Sequence, residues 1–214
     1  MLRKEQIVEQ TMQMFLVEGV RSVRMDDIAR RLSISKRTLY ELFADKEELL
    51  YLVATHYFTQ NRIITELKCK AADNALASLF MALRHIMAHS EQTRRFVDSL
   101  QKFYPEIHER VKQERMGLVR EKLKKLLQRG ISEGYFLKNI HVDLAVSVLS
   151  YTSSGLVSRK DFVPPEGVTQ QEAYLQVVIC FFRGVATAKG LKKIDFYVAQ
   201  NRWSETDEVP QDDK

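Results

Sequence analysis

The chain has 214 residues, 45% of them hydrophobic and 29% charged, with only eight Gly and four Pro. That length buries a full core without disulfide or metal staples, and so little Gly and Pro excludes collagen-like, linker-rich and extensively disordered classes. Lys and Arg outnumber Asp and Glu 33 to 28, a formal +5 with a pI near 9.1, which invites a nucleic-acid reading without establishing one.

The beginning, Met1-Leu2-Arg3-Lys4-Glu5-Gln6, reaches polar residues before any apolar run of secretory length, and no later segment has the ~20 apolar residues of a membrane span. Cys69 and Cys180 belong to no C-x-x-C pair, so neither a zinc site nor a disulfide framework is suggested. A cytoplasmic protein in a reducing compartment is expected.

In chain order, apolar residues recur at helical period and never alternate for long enough to make a sheet. Ile7, Met14 and Phe15 give a first helix one apolar face, and Gly19 closes it. A short helix is predicted around Met25 to Leu32. After Leu32-Ser33-Ile34-Ser35, another is capped by Ser35 and runs through Thr38, Leu39 and Phe43. Asp45-x-x-Glu48 is a capping box for a long helix through Leu49, Val53 and Phe58. Further helices are predicted at Asn74–His89, at Glu91–Phe103, and from Pro105 to Gly130 or Gly134, with proline in the first turn where its missing N–H costs nothing. Another spans Val142 to Val157. The last opens with a Thr169-x-x-Glu172 box and is predicted to end near Gly190. The tail, residues 203–214, is acidic and is expected to be flexible.

Arg24 to Phe43 has the layout of a helix-turn-helix: Ile28 and Leu32 share one face, Leu39 and Phe43 another, and Ile34 plugs the turn. The second helix would present Ser35, Lys36, Arg37 and Thr38 first to a major groove. Arg37 offers a bidentate fork to guanine, Lys36 a point charge, and Thr38 a hydroxyl or methyl. Tyr40 can bond a phosphate through its hydroxyl, while Lys46 and Arg24 stand at helix N-termini suited to phosphate.

The run from Ser22 to Leu49 resembles the N-terminal DNA-binding domain of the TetR family of bacterial repressors. Ile28-Ala29, Ser35-Lys36, Thr38-Leu39-Tyr40, Phe43 and Lys46-Glu47 stand in the family's register, and the detailed likeness covers roughly residues 5–55. The resemblance implies an all-α homodimer: an N-terminal helix-turn-helix three-helix domain at 1–48, followed at 49–202 by a larger helical bundle for dimerisation and effector binding. It implies Lys36, Thr38, Tyr40 and Lys46 as DNA contacts. Three positions depart from the family pattern. Ser33 replaces the usual turn glycine and is expected to adopt a left-handed backbone, Leu42 replaces a frequent phosphate-contacting histidine, and Arg24 replaces a capping Ser or Thr.

Tyr174, Val177, Val178, Phe181, Phe182 and Val185 make a wide apolar stripe on the last helix. It either fills the chain's own core or pairs with Leu144, Ala145, Val148 and Leu149 and with a second copy in a four-helix bundle, where Gly155 and Gly184 allow close approach. Dimerisation through Leu144, Val148 and the six-residue stripe is the expectation. Met81, His85, Phe103, Tyr104, Met116 and Tyr151 are candidates to line an effector pocket; Phe80 and His89 accompany them, and ordinary core is the competing reading. His85 and His89 have a metal-compatible spacing but lack an H-E-x-x-H motif or an added carboxylate or Cys partner. His56, His108 and His141 stand alone, so neither a metal, a cofactor nor a catalytic constellation is expected.

The resulting expectation is a non-enzymatic regulator that binds double-stranded DNA at a palindromic operator as a dimer and is released by a small-molecule effector. The alternatives are an effector-independent chromosome-organising protein, or a small-molecule-binding or catalytic bundle whose first helices merely pack. Net charge does not discriminate among them. Residues 1–60 carry nine basic and nine acidic side chains, and much of the surplus lies between Arg110 and Arg129, a stretch that reads equally well as a solvated face.

Overall fold

The computed structural model describes residues 4–158 and 163–200. The expected acidic tail lies outside them. Ten helices occur among the described residues: α1 Lys4–Glu18, α2 Met25–Arg31, α3 Lys36–Leu42, α4 Lys46–Lys70, α5 Ala75–Ala88, α6 Ser90–Phe103, α7 Pro105–Ser132, α8 Val142–Ser158, α9 Gln170–Gly184 and α10 Ala188–Gln200.

Local chemistry sets most boundaries. Gly19, at φ +87°, donates its N–H to the Phe15 carbonyl and ends α1 in the left-handed conformation that glycine adopts without a Cβ clash. The Ser35 hydroxyl accepts from the Thr38 N–H at 3.0 Å and caps α3. At α4 the Glu48 N–H bonds Asp45 Oδ1, while the Glu48 carboxylate reaches back one residue further than a standard box, to the Ala44 N–H. Thr169 and Glu172 form the expected reciprocal box at α9.

Two compact units contain these helices: Met1–Leu67 with Glu91–Lys122, and Lys68–Ser90 with Leu123–Lys214. The helices α4 and α7 contribute residues to both. In the first unit Phe15, Ile28, Leu39, Phe43, Leu49 and Val53 share one core with Phe96 and Leu100 of α6. Tyr57 stacks edge-on against Phe58 and Phe96 and pairs its hydroxyl with that of Thr93 at 2.8 Å. The second unit packs Leu76, Phe80 and Leu83 of α5 with Leu127, Phe136, Leu149, Ile179, Phe182 and Ile194.

The C-terminal stretch departs from the sequence expectation of one helix reaching Gly190. It breaks after Gly184 because the backbone there pairs with a distant segment: the Leu137 N–H donates to the Val185 carbonyl and the Thr187 N–H to the Tyr135 carbonyl, each at 2.9 Å. Thr187 then accepts from the Gly190 N–H and starts α10. Gly190 therefore lies inside a helix, where a Cβ would stand 2.1 Å from the Tyr135 carbonyl oxygen. Its role is close approach and not termination.

Candidate nucleic-acid interface

The two short helices are held by the residues that the hydrophobic pattern picked out. Ile28, Leu39 and Phe43 are fully buried, Leu32 nearly so, and Ile34 packs on the same core. The turn requires Ser33 at φ +53°, a left-handed backbone that costs a non-glycine residue roughly 1–2 kcal/mol. With its apolar side spent on this core, α3 turns Ser35, Lys36, Arg37 and Tyr40 to solvent.

These groups are not all free. Lys36 Nζ lies 2.5 Å from Asp26 Oδ2 on α2, and Arg37 Nε donates to Glu41 Oε1 at 2.9 Å one turn along α3. The Thr38 and Ser35 hydroxyls pair at 2.8 Å, and Thr38 is half-buried. Tyr40 is 50% exposed. The Arg24 N–H is capped by the Asp27 carboxylate at 3.0 Å, and its side chain is exposed. Sequence reasoning missed Asp26 and Glu41 as competitors for the basic groups. The i, i+4 spacing of Arg37 and Glu41 was a legible signal, whereas the Asp26 to Lys36 pair depends on how the helices cross.

Lys46 points inward. Its ammonium donates to the Val20 carbonyl at 2.6 Å and lies 5.8 and 5.9 Å from the Phe15 and Tyr104 ring centroids. Burial lowers its pKa, with Asp27 opposing that shift. A phosphate would have to draw Lys46 away from this cradle.

The residues expected to line one effector pocket fall in both units. Phe103, Tyr104 and Met116 are half-buried in the first, where Arg21 covers the Phe103 ring at 4.9 Å and burial raises the Tyr104 pKa. Met81, His85 and Tyr151 belong to the second. There His85 is buried, while Met81 and Tyr151 are 38% and 68% exposed.

The expected dimer stripe divides. Val178 and Phe182 are buried in their own unit's core, against neighbours such as Phe136 and Leu149, because α9 carries apolar residues around more than one face. Tyr174, Val177, Phe181 and Val185 are half-buried. On α8, which packs beside α9, Leu144 and Val148 are exposed at 61% and 48%. Tyr151, one turn further on the same face, joins them.

Comparison with known proteins places this geometry. Residues 7–52 match the family described as bacterial regulatory proteins, tetR family. Over 190 residues the chain is 29% identical to the HTH-type transcriptional repressor KstR2 of Mycobacterium tuberculosis, covering 83% of this chain and 91% of that protein. The structure of the ketosteroid transcriptional regulator KstR2 of Mycobacterium tuberculosis is similar with a TM-score of 0.52 at 23% identity, over 87% of this chain and 96% of that one. A transcriptional regulator from Cytophaga hutchinsonii has a TM-score of 0.72 at 18% identity, over 86% and 98% of the two chains. These structural likenesses establish the all-helical fold with its N-terminal helix-turn-helix.

Proposed function

We propose that this chain, a member of the tetR family of bacterial regulatory proteins and not an enzyme, is a transcriptional repressor that binds a palindromic operator as a homodimer. The observation that carries the reading is α3: a Ser35-capped helix whose buried side fixes its orientation while Lys36, Arg37 and Tyr40 face solvent in the family's register. In this reading residues 1–48 bind DNA and residues 49–202 dimerise and receive a small-molecule effector, which the cytoplasmic protein meets in its own compartment.

Lys36, Arg37, Thr38 and Tyr40 enter the major groove or meet its flanking phosphates, and Arg24 joins them from the start of α2. Lys46 contributes only after leaving the Val20 carbonyl. Two-fold symmetry then sets the recognition helices about 34–36 Å apart, one turn of duplex, or a multiple of it. The exposed Leu144, Val148 and Tyr151 of α8, with the half-buried Tyr174, Val177 and Phe181 of α9, supply an isologous apolar face. An effector releases DNA if it binds better to a dimer with another helix spacing.

The test is operator binding by Lys36→Ala and Tyr40→Ala variants. Folded variants that bind the chain's own promoter DNA as tightly as the unaltered protein refute the assignment. Binding spread over many unrelated sites, with no palindrome, favours the chromosome-organising alternative.

A further inference from the structure

The two basic residues in the first turn of α3 are held in different ways. The Lys36 ammonium is a single donor centre tied to Asp26 of α2, so a DNA contact must first release it. Arg37 donates through Nε to Glu41 Oε1 at 2.9 Å, and its Nη1 and Nη2 groups have no partner among the described residues. The Glu41 bond therefore holds the planar guanidinium by one edge and leaves its far end, with two parallel donor groups, open for an end-on contact.

Position gives that end a direction. Leu39 and Phe43 are fully buried on one side of α3. Arg37 and Glu41 each stand two residues from Leu39, about 200° round a helix of ~3.6 residues per turn, and so line the side farthest from the core. Their side chains are 89% and 58% exposed. A helix lying in the major groove turns this side to the base edges, with Lys36 and Tyr40 on one flank. A phosphate that met Arg37 would also meet the Glu41 carboxylate beside it, and the like charges repel. Base edges carry no such charge. Guanine alone sets two acceptors, O6 and N7, side by side in the major groove. Adenine pairs an acceptor with a donor, thymine an acceptor with a methyl, and cytosine offers a donor.

We propose that Arg37 reads a guanine in each half-site through its two Nη groups, and that Glu41 is a positioning residue acting through Arg37. The pair is neutral as a whole, so it adds more to discrimination among bases than to attraction for the phosphate backbone. This rests on the repressor reading above and names the base that its recognition helix requires.

The test uses the full-length chain and the palindrome it selects from random duplex. That palindrome is varied one base pair at a time in both half-sites, and each duplex competes with a labelled copy for the unaltered protein, Arg37→Ala, Glu41→Ala and the double variant. Both side chains are exposed, so the variants keep the fold, checked by circular dichroism. One G·C pair should stand out, its replacement weakening the unaltered protein by about 5- to 150-fold per half-site. Arg37→Ala should abolish that preference and leave the others in place. Glu41→Ala should cut the same preference by about threefold or more, while affinity for unrelated duplex holds or rises because a carboxylate has left the DNA face. On the Arg37→Ala background Glu41→Ala should change no base preference. Three results overturn the assignment while the repressor reading stands: base preferences untouched by Arg37→Ala, a Glu41→Ala variant that gains affinity for all duplexes alike, or a Glu41→Ala loss that persists without Arg37, where Glu41 reads the base itself. Failure to select any palindrome refutes the repressor reading and this assignment with it.

Discussion

Replacing Asp26 by Asn should strengthen DNA binding, although Asp26 touches no DNA in the proposed arrangement. In the free protein its carboxylate holds the Lys36 ammonium at 2.5 Å, with both side chains about half exposed, at 63% for Lys36 and 45% for Asp26. An exposed pair of this kind is worth about 0–1 kcal/mol, so a phosphate must offset up to that much to claim Lys36. A dimer pays it twice. At ~1.4 kcal/mol per tenfold, Asp26→Asn should tighten operator binding by up to about 30-fold while leaving the fold close to its present stability. The change also removes one negative charge from the first turn of α2, worth about 0.3–1 kcal/mol of helix stability. Lys36→Ala in the unaltered background should weaken binding and flatten the salt dependence. One lost phosphate contact per subunit lowers the slope of log K against log salt by about 0.9, roughly 1.8 for the dimer. Fluorescence anisotropy with a labelled operator between 50 and 300 mM salt reads both quantities. Asp26→Asn binding no tighter than the unaltered protein, or Lys36→Ala with an unchanged slope, would show that Asp26 does not compete with DNA for Lys36 or that Lys36 meets no phosphate.

Four further outcomes follow from particular residues. Ser33→Gly removes the cost of a left-handed serine and should raise stability by about 1 kcal/mol, less the entropy that glycine adds to the unfolded chain; a lowered melting temperature contradicts this. Gly190→Ala drives a Cβ into the Tyr135 carbonyl and should cost about 1–3 kcal/mol, read by urea unfolding. Leu144→Glu with Val148→Glu should give monomers by light scattering, with operator affinity lost and helix content by circular dichroism retained. The fourth concerns acid. Above pH ~6.5 His85 is neutral in both folded and unfolded chains; below it the unfolded chain takes up the proton first, so stability falls until the folded pKa of about 4. At ~1.4 kcal/mol per unit the loss approaches about 3 kcal/mol, and His85→Gln should remove that part of the slope in unfolding measured from pH 7 to 4.

What could be read from the sequence was local. Gly19, Ser35, Pro105 and the Thr169–Glu172 box mark helix ends through bonds spanning a few residues, and the spacing of Ile28, Leu39 and Phe43 fixes which side of α3 stays dry. Lys36, Arg37 and Tyr40 were legible for the same reason, as what remains on the opposite side. The break between α9 and α10 was not, because apolar periodicity runs on across it and the interruption comes from backbone bonds to Tyr135 and Leu137, some fifty residues away in sequence. The inward turn of Lys46 was equally hidden, since its acceptor is the Val20 carbonyl, which every residue type possesses. Val178 and Phe182 looked like their neighbours on the apolar stripe, and only the packing of α9 tells the core side from the open side.

Whether α3 of a dimer reads DNA is decided by selection of bound sequences from random duplex. One two-fold symmetric site should be enriched, with half-sites about 10–10.5 base pairs apart or a multiple of that, retained by the unaltered protein and lost by Lys36→Ala with Tyr40→Ala. No enriched palindrome, or the same enrichment by the folded double variant, would contradict that role for α3.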